Sequence, residues 1–281
     1  MYTTLISAQE LSAHIDDSQW VILDCRHDLM DTNAGQSAYT AGHIPQAQFV
    51  NLDQCLSAPK VSADGVFRGR HPLPDKAQFM QTLRQLGISN DTQVVAYDAH
   101  GGMYAARLWW MLRWVGHAAV AVLDGALPAW SAHSLPVTTD VPNARAGQIS
   151  ERTSLVAQVD VASVLANIDS AEFTLVDARA ADRFRGENET IDPVGGHIPG
   201  AMNRFFKDNL HADGRFKSAK QLHAEWSALL THPEKAIMQC GSGVTACHNL
   251  LALEVAELKG AALYPGSWSE WCSDSRRPVA R

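Results

Sequence analysis

The chain has 281 residues, of which 46% are hydrophobic and 19% are charged, and its formal net charge at pH 7 is −7. This length exceeds what one compact core usually organises, so two domains are expected, with the composition of an ordinary globular protein. The acidic charge balance argues against nucleic acid or an anionic membrane surface as a partner.

The sequence contains no segment with the features of a targeting signal or a membrane span. The N-terminal stretch MYTTLISAQELSAHIDD lacks a basic region and a long apolar run, and the densest apolar run is interrupted by Arg113, Gly116 and His117. We therefore expect no membrane span and a cytoplasmic location. The five cysteines are scattered and odd in number, which is a poor pattern for a disulfide framework or a zinc site.

Four sequence blocks occur twice, in the same order, along the chain. They pair Trp20–Arg26 with Phe173–Arg179, Ala41–Ala47 with Gly195–Ala201, Gln93–Gly102 with Ala236–Val244, and Ala121–Trp130 with Ala262–Trp271. Long-period similarity of this kind indicates a tandem duplication. The alignment puts Asp98 of the first repeat at the position that Cys240 occupies in the second.

In chain order, each repeat alternates short apolar runs with amphipathic segments. The runs are VILD, VVAY and VAVLDG in the first repeat and TLVDA, AIMQ and AALYPG in the second. Such runs predict buried parallel strands, and the segments 76–86 and 219–230 predict helices. The sequence therefore predicts an α/β fold with two domains, 1–137 and 156–281, each a parallel sheet flanked by helices, joined by a polar linker at 138–155.

The stretch IMQCGSGVTACHNLLALEV places Cys240 on a glycine-rich turn between a predicted strand and a predicted helix. Backbone N–H groups at a helix start have no helical carbonyl partner, and Gly241 and Gly243 allow them to surround one point. An anion-binding loop of this kind favours the thiolate form of a cysteine, which is the nucleophilic form. We therefore predict that Cys240 is the catalytic nucleophile. A buried, inert cysteine on a tight turn is the alternative.

The tandem duplication, the paired GHIP blocks, the CGSGVTA loop and the replacement of a cysteine by Asp98 resemble the two-domain rhodanese-like sulfurtransferases. The resemblance covers nearly the whole chain, and the loop is most similar to the 3-mercaptopyruvate branch. It implies that the second domain is catalytic and that the first domain is not.

The resemblance also implies a mechanism that needs no metal or organic cofactor. The Cys240 thiolate takes a sulfur atom from 3-mercaptopyruvate as a persulfide, pyruvate leaves, and a thiophilic acceptor such as cyanide, a small thiol or thioredoxin removes the sulfur. The backbone amides that would bind the anionic persulfide belong to Gly241, Gly243, Val244 and Thr245.

Three further residues carry over from the family on matching motifs. Ser242 aligns with a serine that forms a relay with an aspartate and a histidine, here Asp53 in NLDQC and His71 in RHPLP. A hydroxyl polarised in this way can protonate the donor's leaving enolate. The alternative for His71 is a loop histidine packed between prolines.

Arg183 in ADRFRG aligns with the arginine that binds the donor's carboxylate in this family. A guanidinium suits that role because it binds carboxylates bidentately. Its alternative is a surface arginine. The segment ENETIDPVGGHIP lacks the second arginine that is usual in this branch, and Arg185 is a candidate replacement.

Three other functions compete with this hypothesis. A thiosulfate:cyanide sulfurtransferase would use the same persulfide, but its loop usually carries Arg and Lys where this chain has Gly241 and Ser242. Phosphatases and arsenate reductases of the same fold need an arginine six residues after the cysteine, where Ala246 stands. A non-enzymatic binding module would be expected to have lost the cysteine from both repeats.

Residues that recur in both repeats are predicted to be structural. His43 and His197 of the GHIP blocks are expected to stabilise turns by hydrogen bonds.

The other cysteines, Cys25, Cys55, Cys247 and Cys272, are expected to be packed thiols.

Overall fold

The computed structural model describes residues 1–143 and 145–281. The linker predicted at 138–155 includes residue 144, which lies outside the described residues. The chain divides into two compact units: unit 1 contains Met1–Ser57, Pro74–Leu155 and His211–Phe216, and unit 2 contains Ala58–Leu73, Val156–Leu210 and Lys217–Arg281. Ala58–Leu73 of the first repeat thus belongs to unit 2, and His211–Phe216 of the second repeat belongs to unit 1.

Unit 1 is a five-stranded parallel sheet in the order β1-β5-β4-β2-β3. Its strands are β1 (Leu5–Ile6), β2 (Trp20–Asp24), β3 (Ala47–Phe49), β4 (Gln93–Tyr97) and β5 (Val120–Leu123). Its helices are α1 (Ala8–Ser12), α2 (Ala34–Ala41), α3 (Leu52–Cys55), α4 (Lys76–Gln85), α5 (Ala105–Trp114) and α6 (Ala126–Ala132). All residues of β4 and β5 are buried, as expected for parallel strands covered on both faces.

Unit 2 repeats this topology in the order β6-β10-β9-β7-β8. Its strands are β6 (Ala157–Gln158), β7 (Thr174–Asp177), β8 (Met202–Asn203), β9 (Ala236–Gln239) and β10 (Ala262–Leu263). Its helices are α7 (Val161–Ser170), α8 (Ala181–Phe184), α9 (Ala219–Leu229), α10 (Thr245–Val255) and α11 (Ser267–Trp271), with 3₁₀ turns at Phe206–Asn209 and Pro233–Lys235. The same strand order in both units confirms the predicted duplicated α/β fold.

The duplicated GHIP turns are held by the same hydrogen bonds in each unit. His43 Nδ1 lies 2.8 Å from Tyr39 O, and His197 Nδ1 lies 2.9 Å from Phe184 O. Each ring also stacks on an aromatic neighbour, with centroids 3.8 and 3.7 Å apart. The predicted structural role of both histidines is therefore confirmed by these contacts.

The central strands β4 and β9 lead directly into the two loops of interest. In parallel α/β sheets, ligands bind at the carboxyl ends of the strands, where the loops to the helices begin. Asp98 follows β4 and Cys240 follows β9, so both occupy this edge of their own sheet. In the part of the chain that is described, no helix has the length and apolar character needed to cross a bilayer.

Candidate active site

The loop of unit 2 that carries Cys240 connects β9 to α10, and its backbone is hydrogen-bonded to the neighbouring turn at Ser267–Ser269. The N–H of Cys240 donates to Ser267 Oγ at 3.1 Å, and the N–H of Trp268 donates to Cys240 O at 3.0 Å. The N–H of Ser269 donates to Gly241 O at 2.9 Å. Cys240 is 2% exposed. The cysteine is therefore held in a fixed position at the carboxyl end of the sheet.

Two glycines of this loop are required by geometry. Gly243 has φ +75°, and a Cβ added there would lie 2.3 Å from Pro265 O. A Cβ added to Gly241 would lie 2.7 Å from Arg70 Nη2. Gly243 thus allows the chain to turn back toward α10, while Gly241 leaves room for an arginine beside Cys240.

The remaining residues predicted to bind the persulfide lie in the same short stretch. Ser242 and Val244 are buried, Gly241 and Gly243 are buried, and Thr245 is half-buried at the first position of α10. The first amides of a helix have no carbonyl partner within it, so this stretch presents backbone donors where α10 begins. The loop therefore has the chemical character of an anion-binding site.

The equivalent loop of unit 1 already contains an anion. The carboxylate of Asp98 is fully buried and accepts four backbone hydrogen bonds, from His100 and Gly102 through Oδ1 and from Tyr104 and Ala105 through Oδ2, at 2.7 to 3.0 Å. The N–H of Leu127 donates to Asp98 O at 2.9 Å, as Trp268 does to Cys240. The first repeat therefore shows that this strand–loop–helix arrangement surrounds a negative charge with amides.

Ser242 is hydrogen-bonded to a histidine from a distant segment of unit 2. The distance between Ser242 Oγ and His71 Nδ1 is 2.7 Å, and both residues are buried. The His71 segment is fixed by the bond from Ala58 N–H to Pro72 O at 2.9 Å. The structure thus brings together two of the three predicted relay residues.

The third predicted relay residue, Asp53, is part of α3 in unit 1. Its Oδ2 lies 4.0 Å from Nε2 of His27, and its side chain is 32% exposed. Burial lowers the pKa of His27, although Asp53 opposes that shift. The relay from Asp53 to His71 stays a prediction.

Arg183, the predicted carboxylate-binding residue, lies close to the catalytic loop. Its Nη2 would be 3.7 Å from a Cβ on Gly241. Its guanidinium donates to Glu189 through Nε at 3.1 Å and Nη2 at 2.8 Å. Burial favours the protonated form of Glu189, but the bonds from Arg183 and from two backbone amides outweigh it, so the pKa of Glu189 is lowered. Arg185 instead pairs with Glu187 on the surface.

Sequence reasoning missed Arg70 and Asp192. Arg70 is held by the bond from its N–H to Ser269 Oγ at 3.1 Å, and Nη1 donates to Asp192 Oδ1. Asp192 Oδ2 lies 3.7 Å from Arg183 Nη2. Burial raises the pKa of Asp192, which Arg70 partly offsets. The available signal was the position of Arg70, directly before the predicted relay histidine His71.

The other cysteines have surroundings that disfavour a nucleophile. Burial raises the pKa of Cys25 well above its ordinary value, raises that of Cys55, and raises that of Cys272 to about 11. Cys247 is fully buried in α10, where its Sγ lies 3.4 Å from Gly243 O. Cys25, Cys247 and Cys272 are thus buried as expected from the sequence, whereas Cys55 is half-buried.

A known family of domains matches this chain once in each of its two repeats. The family model for the rhodanese-like domain matches residues 7–133 and 160–274. The Pseudomonas aeruginosa protein named "Probable 3-mercaptopyruvate sulfurtransferase" is 47% identical over 279 residues, covering 98% of this chain and 97% of the relative. Thiosulfate sulfurtransferase of Bos taurus is 37% identical over 260 residues, covering 89% and 84%.

A solved structure shares the fold over nearly the whole chain. The 3-mercaptopyruvate sulfurtransferase from Leishmania major superposes with a TM-score of 0.84 at 27% identity, covering 99% of this chain and 76% of that one. Two matching domains, a shared topology and relatives of nearly full length define a duplicated α/β protein with a cysteine-bearing loop. The chain belongs to the rhodanese-like domain family.

Proposed function

We propose that the protein is a sulfurtransferase that moves a sulfur atom from 3-mercaptopyruvate to a thiophilic acceptor through a persulfide on Cys240. The observation that carries the proposal is the 2.7 Å contact between Ser242 Oγ and His71 Nδ1, two residues from the cysteine on an uncharged loop. The relative from P. aeruginosa, 47% identical, bears the name of that activity.

The first half-reaction forms a sulfur–sulfur bond and breaks a carbon–sulfur bond. The Cys240 thiolate attacks the thiol sulfur of 3-mercaptopyruvate, and the electron pair of the carbon–sulfur bond stays on the donor as an enolate. One proton taken up by the enolate carbon gives pyruvate, and the enzyme retains the sulfur as Cys240 persulfide. No external oxidant or reductant is consumed in this step.

The pair of Ser242 and His71 is suited to handle that proton. The hydroxyl of Ser242 can donate to the enolate or to the carbonyl oxygen of the donor, while the imidazole of His71 exchanges its proton with the hydroxyl. Positioned proton transfer of this kind contributes about 10²–10⁴-fold to rates. A donor without a carbonyl needs no such step.

The loop that begins at Cys240 would hold the anionic persulfide until the acceptor arrives. Support comes from Asp98, whose carboxylate accepts four backbone hydrogen bonds at the equivalent position of unit 1. A persulfide anion at Cys240 would find donors of the same kind at the start of α10.

Thiosulfate is the alternative donor. It would give the same persulfide with release of sulfite, and the relative from Bos taurus is named for it. The observation that favours it is the approach of two guanidinium groups, Arg70 and Arg183, to Gly241. The uncharged residues Gly241 and Ser242 and the serine–histidine pair favour mercaptopyruvate instead.

Acceptors and location complete the proposal. Cyanide, a small thiol or reduced thioredoxin would remove the outer sulfur by nucleophilic attack and regenerate the Cys240 thiolate. The cytoplasmic location and the lack of nucleic-acid or membrane partners stay predictions from the sequence.

The test compares the two donors with purified protein. We expect kcat/KM for pyruvate formation from 3-mercaptopyruvate to exceed kcat/KM for sulfite formation from thiosulfate. We also expect a mass increase of one sulfur atom on the peptide that contains Cys240 after donor is added without acceptor. A clear preference for thiosulfate would overturn the donor assignment.

The matched controls are cysteine variants. Cys240→Ser is expected to lose turnover of both donors and the mass increase, whereas Cys55→Ala in unit 1 is expected to keep both, because burial raises the pKa of Cys55 and the mechanism does not use it. Substantial turnover by Cys240→Ser would overturn the persulfide mechanism itself.

A further inference from the structure

The segment Ala58–Leu73, which the first repeat contributes to unit 2, forms a hairpin and is here called the arm. The N–H of Arg68 donates to Lys60 O at 2.8 Å, which closes the hairpin. The hairpin tip is exposed, whereas Gly69 and His71, directly after the hairpin, are buried. The arm therefore enters the interior of unit 2 at Gly69, two residues before the histidine of the serine–histidine pair.

Gly69 lies against the backbone of the turn at Gly266–Ser269, where α11 begins. Its φ is +101°, and a Cβ added there would lie 2.9 Å from Gly266 O and 3.2 Å from Ser269 Oγ. On its other face Gly266 is backed by Glu270, because a Cβ added to Gly266 would overlap Glu270 Oε2. The turn thus has little room to retreat, so a side chain at position 69 would displace the arm rather than the turn.

Ser269 joins the arm to the loop that follows β9. Its hydroxyl accepts the N–H of Arg70 at 3.1 Å, and its own N–H donates to Gly241 O at 2.9 Å. The hydroxyl proton of Ser269 is directed at Gly266 O, 3.2 Å away. This second bond leaves the lone pairs of the hydroxyl oxygen for the arm.

These contacts close a ring at the serine–histidine pair. Arg70 is directly followed by His71, and Gly241 is directly followed by Ser242. His71 Nδ1 lies 2.7 Å from Ser242 Oγ, so both ends of this hydrogen bond are linked to Ser269 through one neighbouring residue on each side. A shift of the arm relative to the turn would therefore change the distance between the imidazole and the hydroxyl.

The equivalent turn of unit 1 cannot form the two bonds that Ser269 makes. In the alignment of the repeats Ser269 corresponds to Pro128, which has neither an N–H nor a hydroxyl. A Cβ added to Gly125, the equivalent of Gly266, would lie 2.9 Å from Cγ of Arg215, so a side chain packs there instead of a backbone. The fold of the turn therefore does not need the ring, which occurs in the unit that carries the proposed nucleophile.

We propose that Gly69 and Ser269 are positioning residues for the reaction with 3-mercaptopyruvate, because they dock the arm so that His71 stays within hydrogen-bond distance of Ser242. This inference rests on the proposed function. A general acid or base must lie about 2.6–3.2 Å from its partner, and a misplacement of about 1 Å can cost about 100-fold in rate. Gly69 contributes by having no side chain, and Ser269 contributes through its hydroxyl.

The first variant adds a methyl group at the contact between the arm and the turn. For Gly69→Ala we expect kcat for pyruvate formation from 3-mercaptopyruvate to fall about 30-fold, because the displaced arm stretches the serine–histidine contact. Gly65→Ala, in the same hairpin, is the matched control. Its φ is +81° and a Cβ there meets no atom within 4 Å, so it shares the backbone strain without the contact and should leave kcat within about twofold.

The second variant removes an atom instead of adding one, so it tests the docking without a steric clash. For Ser269→Ala we expect kcat for 3-mercaptopyruvate to fall about tenfold, since the arm loses its hydrogen bond to the turn. Ser273→Ala is the matched control, because its hydroxyl donates to Glu270 O outside the ring. This control should leave kcat within about twofold.

Combination with Ser242→Ala distinguishes positioning from a general loss of structure. Because Gly69 and Ser269 act through the contact of His71 with Ser242, their substitution should cost less than about twofold in kcat when Ser242 is already alanine. A loss of the same factor with and without Ser242 would overturn the inference, as would kcat values within about twofold of wild type for both single variants. If Gly69→Ala does not fold, Ser269→Ala in the two backgrounds decides alone.

These outcomes are separate from a failure of the proposed function. An unmodified protein that turns over neither 3-mercaptopyruvate nor thiosulfate would refute the sulfurtransferase assignment. Wild-type kcat in Ser242→Ala would refute proton transfer by the serine–histidine pair, on which the inference depends. Additive losses in an active enzyme would refute only the docking role of Gly69 and Ser269.

Discussion

The chemistry of this protein depends on a few side chains whose partners are fixed by loops. Cys240 is held by Ser267 and Trp268, and Ser242 is held by His71. Ser267 itself has φ +53°, a conformation that is uncommon for a residue with a Cβ, and its hydroxyl also donates to Tyr264 O at 2.9 Å. Ala126, at the equivalent position of unit 1, has φ +56°. The unusual turn is therefore a property of both repeats, and only the second uses it to support a cysteine.

Removal of the Ser242 hydroxyl should reduce the turnover of 3-mercaptopyruvate more than the turnover of thiosulfate. For Ser242→Ala we expect kcat for 3-mercaptopyruvate to fall about 100-fold, because the enolate loses its proton donor, while thiosulfate turnover changes less than about threefold. Steady-state rates of pyruvate and sulfite formation measure both. Ser273→Ala, which lies after α11, is the control for loss of a hydroxyl. Equal losses with both donors would argue against proton transfer by Ser242.

At the residue scale, the sequence identified Cys240 and Ser242 as candidate site residues but missed the contact between Arg70 and Asp192. Cys240 and Ser242 lie two residues apart in a short motif between a strand and a helix, so their proximity follows from local structure. Arg70 and Asp192 are 122 residues apart, and their contact depends on tertiary packing that no local pattern encodes. The lack of an arginine in ENETIDPVGGHIP was visible in the sequence, but the position of Arg70 beside Gly241 was not.

Among the structural elements, the loop between β9 and α10 is the one on which the proposed persulfide depends. Its equivalent between β4 and α5 surrounds the Asp98 carboxylate with four amides. The strands that precede both loops were predicted from continuous apolar runs, because parallel strands are covered on both faces. The strands β1, β3, β6 and β8 were not predicted, since they have only two or three residues each.

A glycine substitution tests the geometry of this element. Gly243→Ala is expected to lower the free energy of unfolding by about 2–4 kcal/mol, because the residue keeps a positive φ and its Cβ meets Pro265 O. Gly214→Ala is the matched control: its φ is +82° and a Cβ there meets no atom within 4 Å, so a cost of about 1–2 kcal/mol is expected. Chemical denaturation of both variants gives the difference. Equal losses would show that the contact with Pro265 does not constrain the loop.

At the scale of the whole molecule, the two units are not two consecutive halves of the chain. Ala58–Leu73, from within the first repeat, belongs to unit 2 and carries Arg70 and His71. The composition of that segment does not predict this, because its few apolar residues lack a period that would assign it to either sheet. The duplication was therefore predictable from the sequence, whereas the exchange of segments was not.

The exchange predicts that the second repeat is insufficient for activity. A fragment of residues 156–281 retains Cys240, Ser242 and Arg183 but lacks Arg70 and His71, so we expect at least about a 100-fold loss of kcat/KM for 3-mercaptopyruvate. Turnover by the fragment and by the full chain, each checked for folding by circular dichroism, provides the measurement. Full activity of a folded fragment would show that Ala58–Leu73 contributes nothing to catalysis.

The hydrogen bond from Arg70 N–H to Ser269 Oγ can form only late in the synthesis of the polypeptide. Its two residues are 199 positions apart, and ribosomes add about 5–20 residues per second, so Ser269 is synthesised about 10–40 s after Arg70. When Arg70 is synthesised, the unit 2 partners of Ala58–Leu73, namely Asp192, Ser242 and Ser269, do not yet exist. The contacts of Ala58–Leu73 with the rest of unit 2 are therefore completed only after Ser269, in α11, has been made.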